Sequence, residues 1–459
     1  MKWFFVIFAS VFLAPIGLAQ TANLEKLEAG KVIEHVVCSK NPEESYALYL
    51  PSNYSAARSW PVVFAFDPGA RGKIPVELMR DAAEHDGYIV LGSNNSRNGA
   101  WKPQADAADA MLQDAQMRFN VDLKRVYFAG LSGGARVASR LAQICNCAAG
   151  VLLSGAGFSQ NSLPIRETAF PVFATAGVTD FNYSELISLQ EKLEQAGYPH
   201  WLRVFDGGHD WAPAEVMGEG FAWFRVLAMK TKRGARDEDF VSAQFKEAVA
   251  AAEKYSAAGD SLAAWRQYKQ VTATFDGLVD VGSAKTKAEE LGRSKAVQDE
   301  LKRERNGFEE QARLTEGIFS AIQAASVARN SSADPGANVL EKVRDLRAQS
   351  EREKKPEHAI VLKRALAGVF IGAIETGGSA LEKKDYRMAA GYFSTAAEAR
   401  PDAEWPLRQL AVALALDKDR KGAMETLRRI KPSNSADFQK WLASEPAFQT
   451  MREKHELPL

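Results

Sequence analysis

From residue 30 to residue 230 the chain alternates between two kinds of hydrophobic pattern. Short apolar runs at 32–37, 45–49, 61–66, 88–92, 125–130, 150–154, 171–176 and 201–205 have the length and composition of buried strands. Segments 75–85, 104–119, 134–144, 183–196 and 213–230 place apolar residues three and four apart, the spacing of a helix with one buried face. This alternation predicts a mostly parallel sheet of eight strands with helices on both faces. The first two strands have no helix between them, so they are expected to pair as an antiparallel hairpin at one edge.

Near Thr231-Lys232-Arg233-Gly234-Ala235-Arg236 the strand pattern stops. The rest reads as helices rich in Ala, Leu, Glu, Lys and Arg, and a domain boundary is expected here, giving segments 20–230 and 231–459. The stretch 296–329 reads as long and helical with a break near Asn306-Gly307, and 330–336 reads as a turn. At Tyr386, Ala389, Phe393, Ala396 and Pro401 the intervals resemble the second helix of a tetratricopeptide repeat, in which a small residue lets two helices pack and an aromatic fills the groove. The pattern continues through Leu407, Leu410, Ala411, Leu414, Ala423 and Leu427, and is clearest over 378–432. An earlier fragment with Ala264 and Tyr268 has similar spacing, and 437–448 resembles a terminal capping unit. A plain helical bundle shares the same apolar spacing and stays open as the alternative.

Charge narrows the field of partners. Lys plus Arg number 58 and Asp plus Glu number 58, so a nucleic-acid partner has no electrostatic support. Lys2 is followed by an apolar run from Trp3 to Ala14, then Pro15 and the small-residue site Gly17-Leu18-Ala19. That is the layout of a signal peptide, residues 1–19, and is short for a membrane span. An uncleaved anchor is the alternative. The expectation is an exported protein, periplasmic or secreted, with no stable membrane insertion once the leader is removed. Export puts Cys38, Cys145 and Cys147 in an oxidising compartment. A bridge from Cys38 to Cys145 or Cys147 is favoured over a strained one between Cys145 and Cys147. Three buried free thiols are the alternative.

The chemistry centres on Ser132. Tyr127-Phe128-Ala129-Gly130-Leu131-Ser132-Gly133-Gly134 is an apolar strand that breaks at a glycine, offers one serine and restarts as a helix. Gly130-x-Ser132-x-Gly134 between a strand and a helix is a nucleophile elbow. A serine hydroxyl needs a base, usually a His oriented by a carboxylate. Of six histidines, His209 alone sits in a glycine-flanked loop directly after the last strand, in Asp206-Gly207-Gly208-His209-Asp210-Trp211. The acid is expected after the strand between elbow and base, which nominates Asp180 in Val178-Thr179-Asp180-Phe181-Asn182. Asp180 could instead cap the following helix, and Asp206 and Asp210 are weaker alternatives for the acid.

Ser132, Asp180 and His209 follow one another in the α/β-hydrolase order. Over about residues 30–230 the chain resembles that superfamily, in particular secreted esterases similar to polyhydroxybutyrate depolymerases and feruloyl esterases. The resemblance implies an acyl-binding cleft over the strand ends and an oxyanion hole with one donor at Gly133. The second donor normally comes from the loop after the third strand. Here that loop reads Asp67-Pro68-Gly69-Ala70-Arg71-Gly72, and Pro68 has no N–H to give. Gly69 or Ala70 must then supply it, with Asp67 paired, Arg71 being the candidate, to keep its charge from the oxyanion. Asn95, Arg97, Trp101 and Trp211 are the candidate substrate-binding residues, from their places beyond strand ends.

Two functions are compatible with these features. The first is an exported serine hydrolase acting on a small-molecule or polymer-derived ester through an acyl-enzyme, with no metal or organic cofactor. The second is an interaction protein whose helical half binds a protein partner while the hydrolase half turns over little.

Overall fold

The computed structural model describes residues 27–159, 170–327, 335–432, 434–455 and 457. The leader expected at 1–19 lies outside the described residues. The chain forms two compact units, through Lys302 and from Arg303 onward.

The first unit is built on an eight-stranded sheet of order β1-β2-β4-β3-β5-β6-β7-β8. The strands are β1 (Val32–Val37), β2 (Ser45–Tyr49), β3 (Trp60–Phe66), β4 (Ile89–Ser93), β5 (Val121–Leu131), β6 (Ala148–Ser154), β7 (Val172–Gly177) and β8 (His200–Phe205). β1 and β2 form the expected antiparallel edge, and β2 also runs antiparallel to β4. All other neighbours are parallel. Every residue of β3, β4 and β7 is buried, which is why these strands read as continuous apolar runs rather than alternating ones.

The crossover helices are α1 (Lys73–Asp86), α2 (Trp101–Arg118), α3 (Gly133–Cys145) and α4 (Tyr183–Ala196), followed by α5 (Ala214–Lys230). Right-handed crossovers put α2, α3 and α4 on one face and α1 on the other. α5 joins α1: Val76, Met79 and Ala83 share one core with Met217, Phe221 and Phe224 and with Val63, Tyr127 and Phe173 of the sheet. On the α2 face, Tyr46 donates its hydroxyl to the buried Asp114 at 2.7 Å. Asp114 also accepts from Ser39 N–H and Arg118. Burial works against its charge, and these donors outweigh it and hold its pKa below the ordinary value.

The first unit also contains α6 (Glu238–Ala257), α7 (Ser261–Phe275) and α8 (Gly282–Arg293). They share a core with the end of α5: Val226 and Met229 pack with Val241, Tyr268, Val271 and Phe275. The unit boundary falls within α9 (Lys295–Val327). This helix is continuous, so the break expected near Asn306-Gly307 does not occur. An isolated Gly inside a helix costs only about 1 kcal/mol, less than the surrounding turns supply. Of the turn expected at 330–336, residues 330–334 lie outside the described residues, and Pro335 opens α10 (Pro335–Arg352) as a first-turn proline.

The second unit continues with α11 (Pro356–Glu382), α12 (Tyr386–Ala399), α13 (Glu404–Leu416), α14 (Arg420–Arg429), α15 (Ser435–Ser444) and α16 (Gln449–Glu453). Two of its short helices, α12 and α14, start at acidic caps: Asp385 accepts from Met388 N–H and Asp419 from Gly422 N–H. Ala389, Phe393, Ala396, Ala411 and Ala423 are fully buried. Among the described residues no helix is long and apolar enough to cross a membrane.

Cys145 and Cys147 form a disulfide, and Cys38 is a buried free thiol. This corrects the expected pairing of Cys38. Asn146 between the bridged residues adopts the left-handed conformation, with φ of 49°, and so turns the two side chains to the same side. Burial, with Asp114 and Glu44 nearby, pushes the Cys38 thiol up to about 12, so it is inert.

Candidate active site

Four adjacent parallel strands, β5 to β8, deliver their C-terminal loops to one end of the sheet. Ser132 follows β5 with φ of 53°, a strained conformation for a residue with a Cβ. Strand and helix close around it because both flanking positions are glycine. A Cβ at Gly130 would overlap the carbonyl of Gly134, and one at Gly134 would overlap the carbonyl of Phe66. Ser132 N–H donates to the Ser154 carbonyl at 2.8 Å, which holds the elbow to the end of β6.

The next residue, Gly155, bridges to the other two functional groups. Its φ is 65°, and a Cβ there would lie 3.0 Å from His209 Cε1 and Nδ1 and 3.1 Å from Asp180 Oδ2. Gly155 therefore sets the His209–Asp180 pair against the strand end that holds the elbow. His209 Nδ1 and Asp180 Oδ1 lie 2.8 Å apart. Asp180 is fully buried, and its Oδ2 has no hydrogen-bond partner among the described residues. A carboxylate at this distance can accept from Nδ1–H, the arrangement that leaves Nε2 as the unprotonated nitrogen.

Asp180 is the acid that reaches His209. Asp210 instead accepts from its neighbour's amide, Trp211 N–H, at 2.8 Å. The capping alternative for Asp180 does not hold, since the N-cap of α4 is Asn182 and has no side-chain cap bond. Asp180 Oδ1 does accept from Asn182 N–H at 2.8 Å, and Asn182 Nδ2 donates to the Gly155 carbonyl at 2.8 Å. These contacts tie the acid's loop to the strand end beside the elbow.

The loop after β3 differs from expectation in one respect. Asp67 is fully buried and paired with Arg71, whose Nε donates at 2.8 Å and Nη2 at 3.0 Å. Trp211 Nε1 donates to Asp67 Oδ2 at 2.9 Å. However, Gly69 N–H donates to Asp67 Oδ1 at 2.8 Å and Ala70 N–H to the Asp67 carbonyl at 3.1 Å. Both amides expected to serve the oxyanion are engaged within the loop. Gly133 opens α3, so its N–H has no intrahelical acceptor.

The other candidates separate. Asn95 turns away from the strand ends: Oδ1 accepts from Ser45 N–H and Nδ2 donates to the Glu43 carbonyl, both at 2.9 Å. It pins β2 to the loop after β4. Trp211 is buried and supports the Asp67 loop. Trp101 opens α2 and stacks under Arg140, 3.9 Å from the guanidinium carbon to the ring centroid. Arg97 is exposed, and its backbone pairs with Gly69 in an isolated antiparallel bridge.

Three features had no clear signal in the chain. Phe181 lies against the base, with its ring centroid 4.3 Å from that of His209. Glu185 accepts from Gly157 N–H at 2.7 Å and pairs with both terminal nitrogens of Arg136, one turn after the elbow. Asn98 lies against Gly133. Its neighbourhood was legible as a polar run, but nothing distinguished it from Asn94 or Asn95.

Among the described residues no group of three His, Cys, Asp or Glu stands in a metal-binding arrangement. A cavity of about 450 Å³ lined by Trp201, Arg203, Trp223, Phe240 and Tyr255 includes no residue of the Ser132–Asp180–His209 group.

No family model matches the chain, and no curated protein matches it. Solved structures do. A fluorophosphonate-binding serine hydrolase of Staphylococcus aureus is 13% identical, with 43% of this chain and 98% of that one covered at a TM-score of 0.35. An esterase of Pyrobaculum calidifontis is 12% identical, with 44% and 86% covered at 0.35. A ferulic acid esterase is 19% identical, with 41% and 94% covered at 0.33. These likenesses span less than half of the chain, and the case for a chemical activity rests on its own residues.

Proposed function

We propose that this chain is a serine hydrolase that cleaves carboxylic esters through a covalent acyl-enzyme. The observation that carries the reading is Ser132, strained at a strand-to-helix elbow and held to the strand end where Gly155 lies against a His209–Asp180 pair at 2.8 Å. In the first half-reaction Ser132 Oγ bonds to the acyl carbon while His209 Nε2 takes the hydroxyl proton. The carbonyl π pair moves onto oxygen, then returns as the bond to the alcohol oxygen breaks and His209 gives that oxygen its proton. Water repeats the sequence on the acyl-enzyme and regenerates the serine. Asp180 orients the imidazole and stabilises its cation. The proposed setting is exported, which the segment from Lys2 to Ala19 and the Cys145–Cys147 bridge support.

The test is labelling of the protein with a fluorophosphonate probe, beside Ser132→Ala and His209→Ala. Labelling of the wild type that both substitutions abolish is the expected result. A folded wild type that does not label sinks the reading. In that case the second function, a binding protein using its helical half as a repeat-like surface for a protein partner, takes its place. The engaged Gly69 and Ala70 amides are the observation that favours it.

A further inference from the structure

A tetrahedral intermediate needs preorganised donors aimed at its oxyanion. Gly133 N–H is one. The loop after β3 does not offer Gly69 or Ala70 N–H as the second, because Asp67 takes both and Pro68 has none.

A side-chain amide stands at the right place instead. Asn98 belongs to the loop between β4 and α2, and that loop is fastened to the Asp67 loop by the antiparallel bridge of Arg97 with Gly69, in which Asn98 N–H donates to the Pro68 carbonyl at 2.9 Å. This carries the Asn98 carboxamide onto the Cα of Gly133. A Cβ added there would overlap Asn98 Oδ1, and Asn98 Nδ2 lies 3.2 Å from the same point. The missing Cβ at Gly133 leaves room for the Asn98 carboxamide. The carboxamide has no protein partner among the described residues. A half-turn about χ2 exchanges its oxygen and nitrogen within the same volume.

We propose that Asn98 is a catalytic residue whose Nδ2–H completes the oxyanion hole opposite Gly133 N–H. The proposal rests on the serine-hydrolase reading. As Ser132 Oγ bonds to the acyl carbon, the negative charge arriving on the carbonyl oxygen is held between the two N–H groups until the oxygen reforms its double bond. Alanine at position 98 has no donor. Aspartate is acceptor-only when ionised and sets a negative charge against the developing one.

The experiment measures hydrolysis of p-nitrophenyl acetate by the full-length protein and by Asn98→Ala and Asn98→Asp, with fluorophosphonate labelling and thermal unfolding alongside. Asn98→Ala is expected to lower kcat by about 10²–10³-fold, the loss seen when one oxyanion donor is removed. KM should move by less than about threefold, because the ground-state ester makes little use of the donor. The pH profile should keep its shape and the thermal midpoint its value, since Asn98 is exposed. Asn98→Asp should lose at least as much. An Asn98→Ala protein that keeps kcat within about threefold, or that changes KM alone, overturns the assignment while leaving the esterase reading intact. A wild type that neither labels nor hydrolyses the ester overturns both.

Discussion

Trp211 donates its indole N–H to Asp67 Oδ2 at 2.9 Å, joining the loop that carries His209 to the loop that faces the elbow. Asp67 is fully buried, so each of its donors counts. Trp211→Phe keeps the ring and removes the N–H. Leaving a buried carboxylate oxygen short of a donor costs about 1–3 kcal/mol, so urea unfolding should show a loss of that order. Activity should fall through kcat more than KM, because the loop positions Asn98 and not the substrate. An unchanged unfolding midpoint would mean that Arg71 and Gly69 N–H satisfy Asp67 without the indole.

Gly155 follows the Ser154 carbonyl that holds the elbow and lies against His209. Alanine there meets two penalties: a left-handed φ of 65° and a Cβ 3.0 Å from the His209 ring. The first costs about 1–2 kcal/mol. The second displaces the imidazole and with it the proton transfer. Gly155→Ala is expected to lose most of its fluorophosphonate labelling while remaining folded by circular dichroism. Full labelling would show that His209 can move without loss.

Asp180→Asn tests the tautomer. The carboxamide keeps the shape of the carboxylate but can donate to Nδ1, which turns the proton toward Nε2 and takes away the base. In a related triad the same exchange costs about 10⁴-fold in kcat, and a loss of at least about 10³-fold is expected here on that ground. Ester hydrolysis within tenfold of the wild type, about 1.4 kcal/mol of barrier, would remove Asp180 from the mechanism.

Most of the sheet was legible because its central strands carry apolar runs and β1 and β2 form an edge hairpin, and the loops after β5, β7 and β8 carry the candidates Ser132, Asp180 and His209. Ser132, Asp180 and His209 could be nominated as candidates from loop order alone. The oxyanion loop could not. Whether Gly69 N–H faces the site or Asp67 is decided by a tertiary contact, Asp67 with Trp211, between residues 144 apart. Asn98 was hidden for the same reason. Its run holds three asparagines, and only the pairing of Arg97 with Gly69 sets which one reaches Gly133. The Cys145–Cys147 bridge was misjudged because the left-handed Asn146 that permits it leaves no mark in the pattern.

His358 opens α11 between two carboxylates, with Nδ1 at 2.5 Å from Glu353 and Nε2 at 3.1 Å from Glu310 of α9. Glu353 first and Glu310 second raise its pKa above 6.5. The Lys355 N–H first and His358 second hold Glu353 below 4.5. Arg313 faces Glu310 at 3.9 Å and moderates its field. A raised histidine stabilises fully below its unfolded value of 6.5 and loses that contribution as pH climbs through its folded value. A depressed carboxylate stabilises above 4.5 and loses it as pH falls through its folded value. The clamp is therefore tightest between those values and slackens on the alkaline side. Amide exchange across 353–359, corrected for intrinsic rates, should speed up as pH rises beyond 6.5 and through the raised folded value of His358. His358→Gln should exchange fast throughout. A wild-type profile flat with pH would show that the carboxylates do not grip the imidazole.

The helices that follow α5 are part of the first unit's stability. Val226 and Met229 share a core with Val241, Tyr268, Val271 and Phe275. Trp223 Nε1 donates to Thr274 Oγ1 at 3.0 Å, and Arg225 pairs with both Asp86 and Asp237. A chain ended after Lys230 keeps Asp86 and loses every other of these partners. Each large apolar side chain so exposed forfeits roughly 1.5–3 kcal/mol, and several together rival the whole stability of a domain. A fragment of residues 20–230 is expected to aggregate or to bind hydrophobic dyes. A fragment of residues 20–302 is expected to be monomeric and to unfold cooperatively. Should the shorter fragment prove soluble, cooperative and reactive toward fluorophosphonate, the sheet and its five helices suffice, and α6 to α8 are an attachment rather than a support.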